Sequence, residues 1–153
     1  MSLDPKDPDV PATYSINWRR RLIGPALRET EFVLAAVVRP ERTTGFYYSC
    51  TTAGLTAESY PESWPTIAGQ EVRDGSAVWT AVHPDDASVP SVQSAVWTVP
   101  TGITKDSQSE SGTHTHITLS GGTDGVDYDL TCRMTPTSGN AIDQTITVPV
   151  RSL

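Results

Sequence analysis

The chain is short of basic residues, of cysteine and of long apolar runs, and each shortage removes a class of function. Its 11 Lys and Arg stand against 18 Asp and Glu, a formal net charge of −7 over 153 residues. Neutralising a phosphate backbone requires a basic surface, so nucleic acid is not expected as the main partner. Excess negative charge aids solubility instead. The 2 cysteines, Cys50 and Cys132, lie far apart in segments assigned below to different structural units. Two buried free thiols are expected rather than a bridge, and a chain of this length can bury a core without staples. The longest apolar stretch, Phe32 to Val38, is far too short to cross a bilayer, and no membrane partner is expected. Asp4, Lys6, Asp7 and Asp9 occupy the place of a secretory apolar run, which points to a start in the cytoplasm. No Gly-x-Ser-x-Gly elbow, phosphate loop or nucleophile–base constellation is present, so the chain reads as a non-enzyme without a cofactor.

Helix-period stripes are also scarce. Thr, Ser, Val, Pro and Gly make up much of the sequence, a composition that favours an all-β chain with many turns. Strict alternation supplies the strands. Val126, Tyr128, Leu130, Cys132 and Met134 share one face, and Asp127, Asp129, Thr131 and Arg133 the other. Just upstream, Thr115, Ile117 and Leu119 alternate with His114, His116 and Thr118. The intervening Gly121-Gly122 and Asp124-Gly125 predict a hairpin between the two runs. Tyr14, Ile16 and Trp18 predict a first strand that ends in Arg19-Arg20-Arg21; Ala95, Trp97 and Val99 predict another. Gln144, Ile146, Val148 and Val150 predict the last. Between Glu29 and Arg39, periodicity alone does not separate a buried strand from a short helix for the run Phe32 to Val38, and its length and β-branched content favour the strand.

The texture changes between Arg39 and Val82, where Pro and Gly punctuate very short segments and aromatics concentrate. Its best-defined piece is Glu71 to Trp79, with Asp74-Gly75 as a two-residue hairpin turn. The pattern predicts nesting: an immunoglobulin-like β-sandwich from residues 1–26 and 88–153, interrupted by a small aromatic β-module at 27–87. The leader Asp4-Pro-Lys-Asp-Pro-Asp-Val-Pro11 carries three prolines and no apolar face. It reads as an extended arm free to bind a neighbour, with Asp4, Pro5, Lys6, Asp7 and Pro8 as its contact residues.

Three groups of side chains invite a chemical reading. His114 and His116 lie on one strand face and supply half a metal site at most, so a solvated outer face is expected and no metal. The arginine triplet reads as solvated or salt-bridged at a strand end rather than as a phosphate clamp. Tyr47, Tyr48, Tyr60, Trp64 and Trp79 read first as the core of a small module, because so small a unit needs aromatics to pack. Tyr47, Tyr60, Trp64 and Trp79 are also the candidates for a sugar-stacking platform or a partner contact.

Several of these motifs recur together. Lys6-Asp-Pro-Asp9 with Tyr14-Ser-Ile-Asn-Trp18, then Ser94-Ala-Val-Trp-Thr-Val-Pro100, Leu119-Ser-Gly-Gly-Thr-Asp-Gly-Val-Asp-Tyr128 and Thr145-Ile-Thr-Val-Pro-Val150, resemble the small immunoglobulin-like virion proteins of tailed bacteriophages, including those called fibre–tail adaptors. Thr44 to Cys50 and Tyr60 to Trp79 resemble an aromatic β-module of phage structural proteins. The resemblance implies a structural adaptor made in the host bacterial cytoplasm and built into the virion as a homo-oligomer. Its partners would be other tail, head–tail or fibre proteins. The alternative is a carbohydrate-binding module for host recognition.

Overall fold

A computed structural model describes residues 3–153. Half of the chain is strand and only 3% helix, which makes the protein nearly all-β. Two compact units divide it: residues 20–90 form one, and the residues up to 19 together with 91–153 form the other.

The discontinuous unit begins with β1 (Ala12–Asn17), which leads into a single helical turn, α1 (Arg19–Leu22). The arginine triplet therefore opens a helical turn rather than extending the strand, and Asn17 Oδ1 accepts a hydrogen bond from the Arg19 N–H at its start. The 20–90 unit holds seven strands: β2 (Gly24–Pro25), β3 (Glu31–Phe32), β4 (Val37–Arg39), β5 (Tyr47–Thr52), β6 (Gly54–Leu55), β7 (Glu71–Asp74) and β8 (Ala77–Val82). The discontinuous unit resumes with β9 (Val92–Thr98), β10 (Ile103–Ser111), β11 (His114–Gly121), β12 (Asp127–Pro136) and β13 (Ile142–Pro149).

In that unit two three-stranded antiparallel sheets face each other, one ordered β1-β11-β10 and the other β13-β12-β9. Alternation builds the core between them. Tyr14, Ile16, Thr115, Ile117 and Leu119 point inward from the first sheet, and Ala95, Trp97, Leu130, Cys132, Met134, Ile146 and Val148 from the second. Cys132 Sγ reaches Thr115 Oγ1 across the core at 3.7 Å. This is immunoglobulin-like connectivity: β12 pairs on one side with the last strand, β13, and on the other with β9, whose buried Trp97 lies opposite Cys132. Tyr128 adds the tyrosine corner of such sandwiches, accepting the Thr123 N–H at 3.0 Å just ahead of its own strand.

The glycine-rich stretch after Leu119 does not make the expected hairpin. β11 and β12 belong to opposite sheets, so the loop carries the chain across the sandwich. Gly121 and Gly122 adopt φ of 73° and 98°, a left-handed pair that redirects the strand instead of folding it back on itself. Val126 falls in this loop and is exposed, outside the inward face predicted for it.

In the 20–90 unit a five-stranded sheet, ordered β2-β4-β5-β8-β7, is accompanied by the β3-β6 pair. One face packs Ala26, Val38, Tyr48, Cys50, Trp64, Trp79 and Ala81. The other packs Ile23, Tyr47 and Val89. Burial on both faces explains why neighbours such as Tyr47 and Tyr48 are both inside. The run from Phe32 to Val38 is not one buried strand: it breaks into β3, a turn and β4. The hairpin between β7 and β8 pairs Asp74 with Ala77, so its turn residues are Gly75 and Ser76 rather than Asp74-Gly75. Gly75 takes φ of 65°, and a Cβ there would strike the Leu55 carbonyl oxygen.

Candidate interaction surface

The leader is not a free arm. The Lys6 N–H bonds the Pro149 carbonyl at 2.8 Å and its own carbonyl accepts from Arg151 at 2.9 Å, an isolated parallel bridge onto the end of the last strand. Its side chain is 1% exposed. The ammonium satisfies itself on the carbonyls of Asp7 and Gly121, at 2.7 and 2.8 Å. Asp4 offers its carbonyl to the Tyr14 hydroxyl at 2.9 Å. Prolines at 5 and 8 exclude a continuous strand but leave the N–H of Lys6 available, and one residue of pairing anchors the segment. Asp4 and Pro5 are exposed, while Asp7 and Pro8 are half-buried.

The aromatics do not assemble into one exposed platform. Tyr47, Trp64 and Trp79 are buried, and Tyr48 lies with Trp64 at a centroid separation of 4.6 Å. Trp64 donates to Glu41 at 2.6 Å, and Trp79 meets the edge of Phe32 at 5.0 Å. Tyr60 alone of the four candidates is well exposed, at 41%, with the Arg28 guanidinium 4.2 Å from its ring centre.

That guanidinium belongs to the organising polar centre of the 20–90 unit, which no sequence pattern announces. Arg28 grips the buried Asp74 carboxylate with two parallel bonds of 2.7 Å. The Ala57 N–H and the Trp79 indole N–H complete the shell, each at 3.0 Å. Burial by itself pushes the Asp74 carboxyl upward, but Arg28 and these two donors outweigh it and hold the pKa below its ordinary value. The same centre draws in the carbonyl of Ala26 and, at 3.2 Å, that of Ser59. The Asp74 carboxylate is satisfied by these internal donors, so the cluster fixes the loops around the sheet.

His114 and His116 stack 6.1 Å apart, nearly parallel at 5°, on the outward face of β11. Ser15 Oγ lies 2.6 Å from His116 Nδ1. No group of three or more His, Cys, Asp or Glu that could hold a metal occurs among the described residues. Cys50 and Cys132 are free and buried, and burial pushes both thiols upward, away from the reactive thiolate. No helix among the described residues is long and apolar enough to cross a membrane.

The feature missed in the sequence is the turn between β3 and β4. Val33 and Leu34 are 73% and 62% exposed, although they sit in the most apolar run of the chain. Ala35 holds them out. Its φ of 70° is unusual for a residue with a Cβ, and the turn is clamped by Ala35 N–H to the Cys50 carbonyl at 2.9 Å and Cys50 N–H to the Ala36 carbonyl at 2.8 Å.

The discontinuous unit is an immunoglobulin-like sandwich, and the 20–90 unit is inserted in sequence between its strands β1 and β9. The family model for the podophage GP4 fiber-tail adaptor protein gp77 matches residues 65–149, more than half of the chain, and the chain belongs to that family. The matched residues include β7 to β13, whereas the leader, β1 and the apolar turn precede them. No match was found among curated proteins or solved structures.

Proposed function

We propose that this chain is a non-enzymatic adaptor in a podophage virion that joins a tail or head–tail component to a fibre. Family membership carries the reading: a structural adaptor role follows from the match over residues 65–149. The finer assignment is that the Val33-Leu34 turn supplies a contact to a neighbouring virion protein. Two large apolar side chains held in water by a backbone conformation that costs about 1–3 kcal/mol need a compensating use, and burial in an interface provides one. The exposed leader residues Asp4 and Pro5 are a second proposed contact, with Lys6 as the internal anchor that positions them. These neighbours are proteins of the particle, and the chain reaches them after synthesis in the host cytoplasm.

The test is a phage carrying Val33→Asp with Leu34→Asp. Both side chains are exposed, so the isolated variant should keep wild-type circular dichroism and melting, while particles carrying it should lose fibres or fail to complete the tail. A full fibre complement on particles with the folded variant would overturn the assignment of this turn.

A further inference from the structure

The sandwich has four sheet edges, and three of them are guarded. β13 is flanked by the Lys6 bridge to Val150 and ends in Pro149. β10 carries Lys105, Asp106 and Glu110, with a bulge between Lys105 and Ser107. β9 has a register shift opposite Thr135 and Pro136, and its Ala95 carbonyl is capped by the Gln108 side chain at 2.9 Å. Bulges, charges and covering segments are the usual devices against strand addition. β1 has none of them among the described residues. Its six residues, Ala-Thr-Tyr-Ser-Ile-Asn, contain no charge, proline or bulge, and they pair on one side only, with β11.

The orientation of that open side follows from the register. Trp18 N–H bonds the Thr113 carbonyl, so the even-numbered residues of β1 direct their backbone groups to β11 and the odd-numbered ones direct theirs outward. Thr13, Ser15 and Asn17 thus present N–H and C=O groups along the edge, and all three are exposed. A groove lined by Leu3, Asp4, Pro5 and Ala12–Ser15 lies beside them.

We propose that this edge pairs with β1 of a second copy of the chain, antiparallel, with Ser15 opposite Ser15. The occupant is chosen by symmetry and charge. An antiparallel pairing about a twofold axis places Thr13 opposite Asn17 and Asn17 opposite Thr13, so all three outward residues exchange both backbone bonds with their partners. Asp7 and Asp9 precede β1 and Arg19 follows it, so the acidic entry of one strand runs beside the basic exit of the other. A basic strand from a different protein would complement only one end. Tyr14 and Ile16 stay in their own cores, and the two sheets become one continuous sheet.

Cross-linking reads the register directly. Residues directly opposite in a bonded antiparallel pair have Cα atoms about 5.5 Å apart, within disulfide reach. In the full-length chain under mild oxidation, Ser15→Cys is expected to form a covalent dimer, while Asn17→Cys, whose twofold mate lies several residues along the strand, is expected to stay monomeric. The native thiols are buried in both variants. Edge pairing alone falls below the roughly 1,200 Å² of a durable interface, so sedimentation equilibrium should extend to about 1 mM. Wild type is expected to show a monomer–dimer equilibrium there, and Ser15→Pro to weaken it at least about tenfold, because it removes an N–H that the fold does not use. Thr13→Lys, which leaves the backbone intact, should weaken it similarly if the proline variant fails to fold. Equal cross-linking by Ser15→Cys and Asn17→Cys, or a wild-type monomer throughout, overturns the proposal while leaving the adaptor role standing. Loss of fibres from the Asp-substituted apolar turn tests that role separately.

Discussion

Two tryptophans in the same chain make opposite use of the same indole. Trp79 donates its N–H to a buried, ionised carboxylate, whereas the buried Trp97 N–H meets no acceptor among the described residues. Replacement by phenylalanine removes similar volume at both sites, so the difference between the two variants isolates the hydrogen bond. Trp79→Phe should cost about 1–2 kcal/mol more than Trp97→Phe in urea melts, because only the first strands a charged acceptor. Asp74 sets a second expectation. Its folded-state pKa lies below the ordinary 3.8, so its contribution is fully present above that value and is lost as pH falls through the depressed folded pKa. Asp74→Asn should cost about 3–5 kcal/mol at neutral pH by leaving Arg28 without its counter-charge. It should also flatten the part of the acid-unfolding curve that lies below about pH 4. A variant whose stability falls as steeply as wild type in that range would show that another carboxylate governs acid unfolding.

At the scale of elements, the crossing from β11 to β12 depends on a few atoms. Tyr128 anchors it through the Thr123 N–H and packs its ring edge against Gly102 and Gly122. Tyr128→Ala should cost about 3–5 kcal/mol, while Asp127→Ala, which gives up an exposed ion pair with Arg151 at 2.8 Å, should cost under about 0.5 kcal/mol. Gly122→Ala belongs to the same element. A Cβ there would sit 2.7 Å from Val150 Cγ2 on a backbone with φ of 98°, so it should destabilise although it adds a single methyl group. Equal melting curves for the Tyr128 and Asp127 variants would refute the assignment of the two strand faces.

For the whole molecule, the question is whether the sandwich needs the unit threaded through it. Trp18 N–H bonds Thr113 and Val92 N–H bonds Gly112, so the two ends of the sandwich chain are anchored on adjacent residues of one turn. A short Gly/Ser link can therefore replace residues 20–90, and loop entropy changes only slowly with length. The excised chain should keep β-type circular dichroism and a cooperative melt. Loss of both would show that the sandwich is completed by the residues removed.

Most strand faces were legible in the sequence because a period of two needs only local information: Tyr14 and Ile16, Thr115 to Leu119, Tyr128 to Met134 and Ile146 to Val148 each put the predicted side inward. The all-β class and the kinship with phage adaptors were legible too, the first from composition and the second from the order of motifs along the chain. Partners distant in sequence were not. Alternation marks which side of a strand is buried but not which strand lies beside it, so β11 and β12 read as a hairpin although they occupy opposite sheets. The leader looked free because its single buried anchor, Lys6, is a charged residue whose partners lie at Gly121 and Pro149. Arg28 and Asp74 are separated by 46 positions, and only folding reveals them as one ion pair. The apolar run at 32–38 had the composition of a core strand; the tertiary clamp between Ala35 and Cys50 is what turned Val33 and Leu34 outward.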